Sequence, residues 1–145
     1  MTTHPLSVWL VLLGALPFVA CALLPIFGWT QVPVLGSTDL IAASYGLAIA
    51  SFVAGTHWGI AVQTDNSVPI NLFVSSNVAL LAAWFAFIGA STNWQLVAQI
   101  IVFAFLWMID RRLRQAELIS ADYYRLRSIA TTIVCASLSV TVAVP

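Results

Sequence analysis

The sequence predicts an all-α fold: a polytopic integral membrane protein of five transmembrane helices in one bundle, forming a single domain over residues 1–145. Three observations lead there. Hydrophobic residues make up 61% of the chain and charged residues only 7%, with a mean hydropathy of +1.01, whereas soluble domains carry roughly 25% charged residues. The apolar runs are about 20 residues long, enough for a helix to cross a bilayer, and they lack the alternation of ~10-residue barrel strands. Charge is also concentrated: the chain has no Lys, and Arg111, Arg112, Arg114, Arg125 and Arg127 all lie in or beside one loop.

Helix 1 is expected over about residues 6–27. Pro5 suits its start, Pro17 sits where it should kink the helix, and Pro25 marks the fraying end. The preceding MTTHP has no Lys or Arg, so the positive region of a signal peptide is missing and a retained helix is expected. Trp29 fits an interfacial anchor. After a loop containing Pro33 and Gly36, Thr38 or Asp39 is expected to cap helix 2, over about 38–62. Asp65, Asn66 and Ser67 then form a turn set before helix 3, about 70–90. A tight turn at Ser91, Thr92 and Asn93 leads to helix 4, about 94–110, with a cytoplasmic helical extension through RRLRQAEL. Ser120 or Asp122 can cap helix 5, about 123–143. Its hydroxyls at Thr131, Thr132, Ser137, Ser139 and Thr141 fit packing against protein. Cys21 and Cys135 lie inside apolar runs and are expected to act as small core hydrophobes.

Helix 2 is expected to be the central one. At about 100° per residue, Ser44, Ala48, Ser51, Gly55 and Gly59 fall on one stripe. Gly55 and Gly59 form a GxxxG that Ser51 extends, a pattern that lets a second backbone approach. Gly46, Ala50, Ala54 and His57 share the opposite face. A helix small on two sides is expected to lie between neighbours, packing a partner or a second copy through Ser51, Gly55 and Gly59.

The arginine loop is expected to be cytoplasmic by the positive-inside rule. That puts the N-terminus inside and the C-terminus outside. His57 then lies roughly 8 Å before the cytoplasmic end of helix 2, and Asn77 roughly 10 Å into helix 3, at ~1.5 Å per residue. Equal depth makes Asn77 the expected partner of His57. Asp110, Arg111, Arg112, Tyr123, Tyr124, Arg125 and Arg127 gather at the same interface. The expected ligand or headgroup contacts are therefore His57, Trp58, Asn77, Asp110, Arg111, Tyr124 and Arg127. Burial disfavours an imidazolium while Asp110 favours one. A neutral His57 that donates to a neighbouring helix or a headgroup carbonyl is expected.

These residues carry a resemblance. Tyr45-Gly46, Ser51-Phe52 and Gly55-Thr56-His57-Trp58-Gly59 are followed by Asp110-Arg111, Tyr124-Arg125-Leu126-Arg127 and Thr131. Over about residues 44–132 the chain resembles the domain of unknown function 3429 family, which includes transmembrane protein 69-like proteins. The G-x-H-W-G core is its most specific part. The family prefers Pro and Trp where this chain has Ala121 and Tyr123, so the start of helix 5 departs from its pattern. The resemblance implies a multi-pass membrane protein without an established activity, and it supplies no catalytic residues.

The residues exclude several classes. No basic patch lies outside the membrane-flanking loop, so nucleic acid is not an expected partner. There is no nucleophile–base pair, no paired intramembrane carboxylates, no HExxH and no phosphate loop, so a non-enzymatic role is expected. No metal site is expected and any cofactor is unknown; a bis-histidine haem would need a second well-placed imidazole, and His4 lies near a terminus. The leading expectation is a small accessory or interaction protein of a bacterial inner membrane. Its partners would be the lipid bilayer and a membrane protein or second copy, and it would hold a lipid or quinone headgroup near His57. The alternative is a transporter or proton-conducting protein using His57, although five spans without an inverted repeat fit a transporter poorly.

Overall fold

The computed structural model describes residues 5–64, 68 and 70–144. The expected turn at Asp65, Asn66 and Ser67 lies outside the described residues, as does His4. The fold is an all-helical bundle: α1 (Pro5–Leu23), α2 (Thr38–Gln63), α3 (Leu72–Gly89), α4 (Thr92–Gln115) and α5 (Ala121–Ala143). All five are long and apolar enough to cross a membrane. α1 continues through Pro17 and tightens into a 3-10 turn, Leu24–Phe27. Gly28 ends that turn at φ 86°, a left-handed conformation that suits glycine, and its N–H donates to the Pro25 carbonyl at 2.9 Å.

The connection to α2 holds a feature not read from sequence. β1 (Gln31–Val32) and β2 (Gly36–Ser37) pair antiparallel across a short turn. The N-cap position of α2 is Ser37, not Thr38 or Asp39. Thr38 is already helical and its N–H reaches back to the Thr30 carbonyl at 3.1 Å. At the other end of the bundle, Asn71 caps α3 by accepting from the Val74 N–H at 3.2 Å. Ser120 caps α5 in the same way through Tyr123. Ala121 is then the first helical residue, a position where proline is readily accommodated.

The helices form a ring in chain order, closed by contact between α1 and α5. α2 also crosses to α4. Small residues on α2 (Ala42, Ala43, Gly46, Ala50, Ala54) and α3 (Ala79, Ala83) are buried, so backbones approach closely there. α4 supplies the larger side chains Leu96, Phe103, Leu106 and Leu113. Phe18 of α1 packs edge-on against Phe103 with ring centroids 6.1 Å apart, and at 5.1 Å against Tyr45 of α2. The Tyr45 hydroxyl donates to the Gly14 carbonyl at 3.0 Å. Cys21 is buried, Cys135 is half-buried, and neither is in a disulfide.

The close approach of α2 and α4 depends on Gly46. The Gln99 amide of α4 is buried and donates to the Ala43 carbonyl. A Cβ on Gly46 would overlap that amide. A second glutamine, Gln95, pins the α3–α4 turn by donating to the Phe87 and Ala90 carbonyls at 2.8 and 2.9 Å.

The other face of α2 is open within the single chain. Gly55 and Gly59 are exposed, Ser51 is half-buried, and a Cβ on either glycine would meet nothing within 4 Å. Within a single chain α2 is covered on one small face and open on the other. The ring has only enough helices to enclose the Gly46–His57 side.

Candidate functional site: a buried His–Asp–Arg cluster

His57 sits on the covered face of α2 and points at α4. Its Nε2 lies 2.8 Å from Oδ1 of Asp110. The second carboxylate oxygen, Oδ2, accepts from Nε of Arg127 on α5 at 3.1 Å. Three helices thus converge on one carboxylate. His57 and Asp110 are both 0% exposed, and the Arg127 side chain is 12% exposed. A buried charge demands a partner, and here each charge has one. The His57–Asp110 bond requires a proton on Nε2, because a carboxylate only accepts. A neutral imidazole leaves the cluster balanced: one carboxylate against one guanidinium.

Two atoms of the cluster are left over. Nδ1 of His57 and Nη2 of Arg127 are buried and have no hydrogen-bond partner among the described residues. Arg127 also lines a cleft of about 330 Å³ between α1, α2 and α5. The cleft is walled by side chains such as Leu10, Val11, Phe52, Val53 and Val134, with Phe103 of α4 behind them. Among the described residues that line it, Arg127 is the only charged one.

The expected site residues divide into two groups. His57, Asp110 and Arg127 meet. Asn77 does not join them: it is exposed, and its amide donates to the Phe73 carbonyl one turn back on α3, at 2.7 Å. Equal depth did not mean equal direction, since the face of α3 turned inward carries Ser76, Ala79 and Ala83 instead. Trp58 is exposed and packs edge-on against Phe73 at 4.8 Å. Arg111 is exposed at the outer side of α4. Tyr124 stacks on Trp107, 6.2 Å between centroids, and its carbonyl accepts from Ser128. Ser128 in turn accepts from the Trp107 indole at 2.9 Å. These residues brace α4 against α5 beside the cluster.

The residues missed in the sequence are Gln95 and Gln99, both buried. A signal was present. Gln99, Phe103, Leu106, Asp110 and Leu113 follow helical spacing along α4, so both polar residues lie on its apolar stripe. Among the described residues, no group of three or more His, Cys, Asp and Glu side chains is placed to hold a metal ion.

Fold and cluster together define a bundle of five membrane-length helices with a His–Asp–Arg cluster joining three of them. The chain belongs to the family described as a protein of unknown function, DUF3429, whose model matches residues 3–143. The match reaches well beyond residues 44–132 and takes in α1 and all of α5. No solved structure matches the chain.

Proposed function

We propose that this is a small multi-pass protein of a bacterial inner membrane. Its N-terminus would be cytoplasmic and its C-terminus outside, and it would act as an interaction or accessory protein that holds the head of a lipid or quinone. The observation that carries this reading is the mostly apolar cleft between α1, α2 and α5, with Arg127 the one charged residue among the described residues that line it. A mostly apolar cleft with a guanidinium in its wall favours a molecule with a polar head and an apolar body. In this reading His57 does not touch the ligand. It holds Asp110, and Asp110 holds Arg127, so His57 and Asp110 are positioning residues. The orientation rests on the arginines around the α4–α5 loop. The stripe of half-buried Ser51 and exposed Gly55 and Gly59 is where a membrane partner or second copy would pack.

The experiment is gentle native purification followed by mass spectrometry of the intact particle. A small molecule that copurifies with the native protein and is lost from a cleft-filling variant supports the reading. A particle free of any such molecule contradicts it. The alternative, proton conduction through His57, draws on the buried His57–Asp110 pair, since ionisable residues at membrane depth are functional candidates. Proton flux in reconstituted vesicles that disappears in His57→Gln would favour it.

A further inference from the structure

A second groove, of about 400 Å³, lies on the outer surface of the bundle between α4 and α5. Ala104 and Trp107 form its α4 wall, and Ser128, Thr132, Cys135 and Ser139 its α5 floor. Thr131 lines both this groove and the cleft beside Arg127, and so divides them. The hydroxyl protons of the floor are already spent. Ser128, Thr132 and Ser139 donate to the carbonyls of Tyr124, Ser128 and Cys135 at 2.9, 2.8 and 2.8 Å. Such a floor suits an apolar occupant. From Ser128 to Ser139 it runs roughly 16 Å at ~1.5 Å per residue. A hydrocarbon core is ~30 Å thick, so the groove has the depth of one lipid leaflet.

Both sides of the groove end in an arginine. On α4, Ala104, Trp107 and Arg111 follow the spacing of one helix face; on α5, Arg125, Ser128, Thr132, Cys135 and Ser139 do the same. Arg111 lies one turn beyond Trp107, and Arg125 just under one turn beyond Ser128, at the end where residues 116–120 join the two helices. Both arginines are exposed, and neither has a hydrogen bond or ion pair among the described residues. Arg127, by contrast, is matched by Asp110. A guanidinium holds phosphate through charge-assisted hydrogen bonds. We infer that the groove seats one anionic glycerophospholipid. Its phosphate lies between Arg111 and Arg125, and one acyl chain runs down the floor past Trp107. Two arginines without counter-charge favour a headgroup of net negative charge over a zwitterionic one. Arg127 takes no part, so this site stands apart from the cleft proposed above.

The test is native mass spectrometry of the full chain in mild detergent, titrated with dioleoyl phosphatidylglycerol and with dioleoyl phosphatidylcholine. The two lipids share their acyl chains and differ in net charge. Arg111→Gln and Arg125→Gln each remove a guanidinium from the end of the groove. Arg112→Gln is the control: Arg112 is exposed but lies about 100° around α4 from Arg111, off the groove face. Ala136→Phe obstructs the groove, since Ala136 is exposed and lines it. The expected result is one phosphatidylglycerol per chain, bound at least about tenfold more tightly than phosphatidylcholine. That preference falls about fivefold in Arg111→Gln and in Arg125→Gln and is kept in Arg112→Gln, while Ala136→Phe weakens both lipids. Equal binding of the two lipids, or an equal fall in Arg112→Gln, means diffuse attraction to a basic surface and overturns the site. Binding indifferent to Ala136→Phe overturns the seat in the groove. A lipid-free dimer that separates in Ala136→Phe gives the groove to a second copy and overturns the proposal.

Discussion

The Asp110 carboxylate receives the imidazole of His57 at 2.8 Å, with neither side chain reaching solvent. The two residues are 53 positions apart in the chain, and their contact ties α2 to α4. The other carboxylate oxygen ties α4 to α5 through Arg127. One side chain therefore fastens three of the five helices.

That position makes Asp110 the most sensitive polar residue of the bundle. Asp110→Ala leaves the Arg127 charge buried and unpaired and should cost about 3 kcal/mol of stability. His57→Gln keeps a donor toward the carboxylate and should cost about 1 kcal/mol. Thermal unfolding of the variants in one detergent checks the order. Equal losses, or a larger loss for His57→Gln, would remove Asp110 from the centre.

Glycine substitutions on α2 separate its two faces. Gly46→Ala should destabilise by about 1–3 kcal/mol, because the new methyl displaces the Gln99 amide from the Ala43 carbonyl. Gly55→Leu and Gly59→Leu should leave the stability of the isolated chain unchanged, since their Cβ positions are open. If the open stripe meets a partner, the same two changes should shift the particle to a smaller mass by light scattering.

The end of α4 offers a stabilising change. Glu117 adopts φ 58°, its N–H donates to the Arg114 carbonyl at 3.1 Å, and the Leu118 N–H reaches the Leu113 carbonyl at 3.0 Å. This is a Schellman closure with glutamate where glycine is usual. Glu117→Gly should raise stability by about 1 kcal/mol. A loss on thermal unfolding would mean that the Glu117 side chain makes a contact the backbone argument omits.

Much of this fold was legible in the sequence, and the reasons are physical. A membrane-length helix announces itself through an uninterrupted apolar run, so all five helices were found within a few residues. His57 stood out because ionisable residues are rare in such runs. Its partner did not stand out. Asp110 begins the charged string DRRLR and reads as interfacial, yet α4 continues to Gln115, and helical spacing keeps Asp110 on the same inward stripe as Gln99 and Phe103. Arg127 is among the expected contacts, but its pairing with Asp110 was not legible: it looks like one more loop arginine, yet it shares a face of α5 with Ala130, Thr131 and Val134. Which small face of α2 the chain itself covers was not legible either. Small residues permit close packing without requiring it, and a sequence does not say which of two small faces a five-helix ring will cover.

Orientation is tested by reporter fusions. The arginines flanking the α4–α5 loop are expected to hold it in the cytoplasm. Fusions near Gln115 should report inside and fusions after Ala143 outside. A cytoplasmic C-terminus would contradict the five-span arrangement.

The cluster itself is tested most directly by nitrogen-15 NMR of histidine-labelled protein carrying His4→Gln, which leaves His57 as the sole imidazole. The expected spectrum has one tautomer, protonated at Nε2 and bare at Nδ1, with the Nε2 proton protected from exchange with deuterated water. Asp110→Asn should change that signal. A rapidly exchanging imidazole averaged over both tautomers, indifferent to Asp110→Asn, would contradict the sealed His57–Asp110–Arg127 cluster on which the functional reading depends.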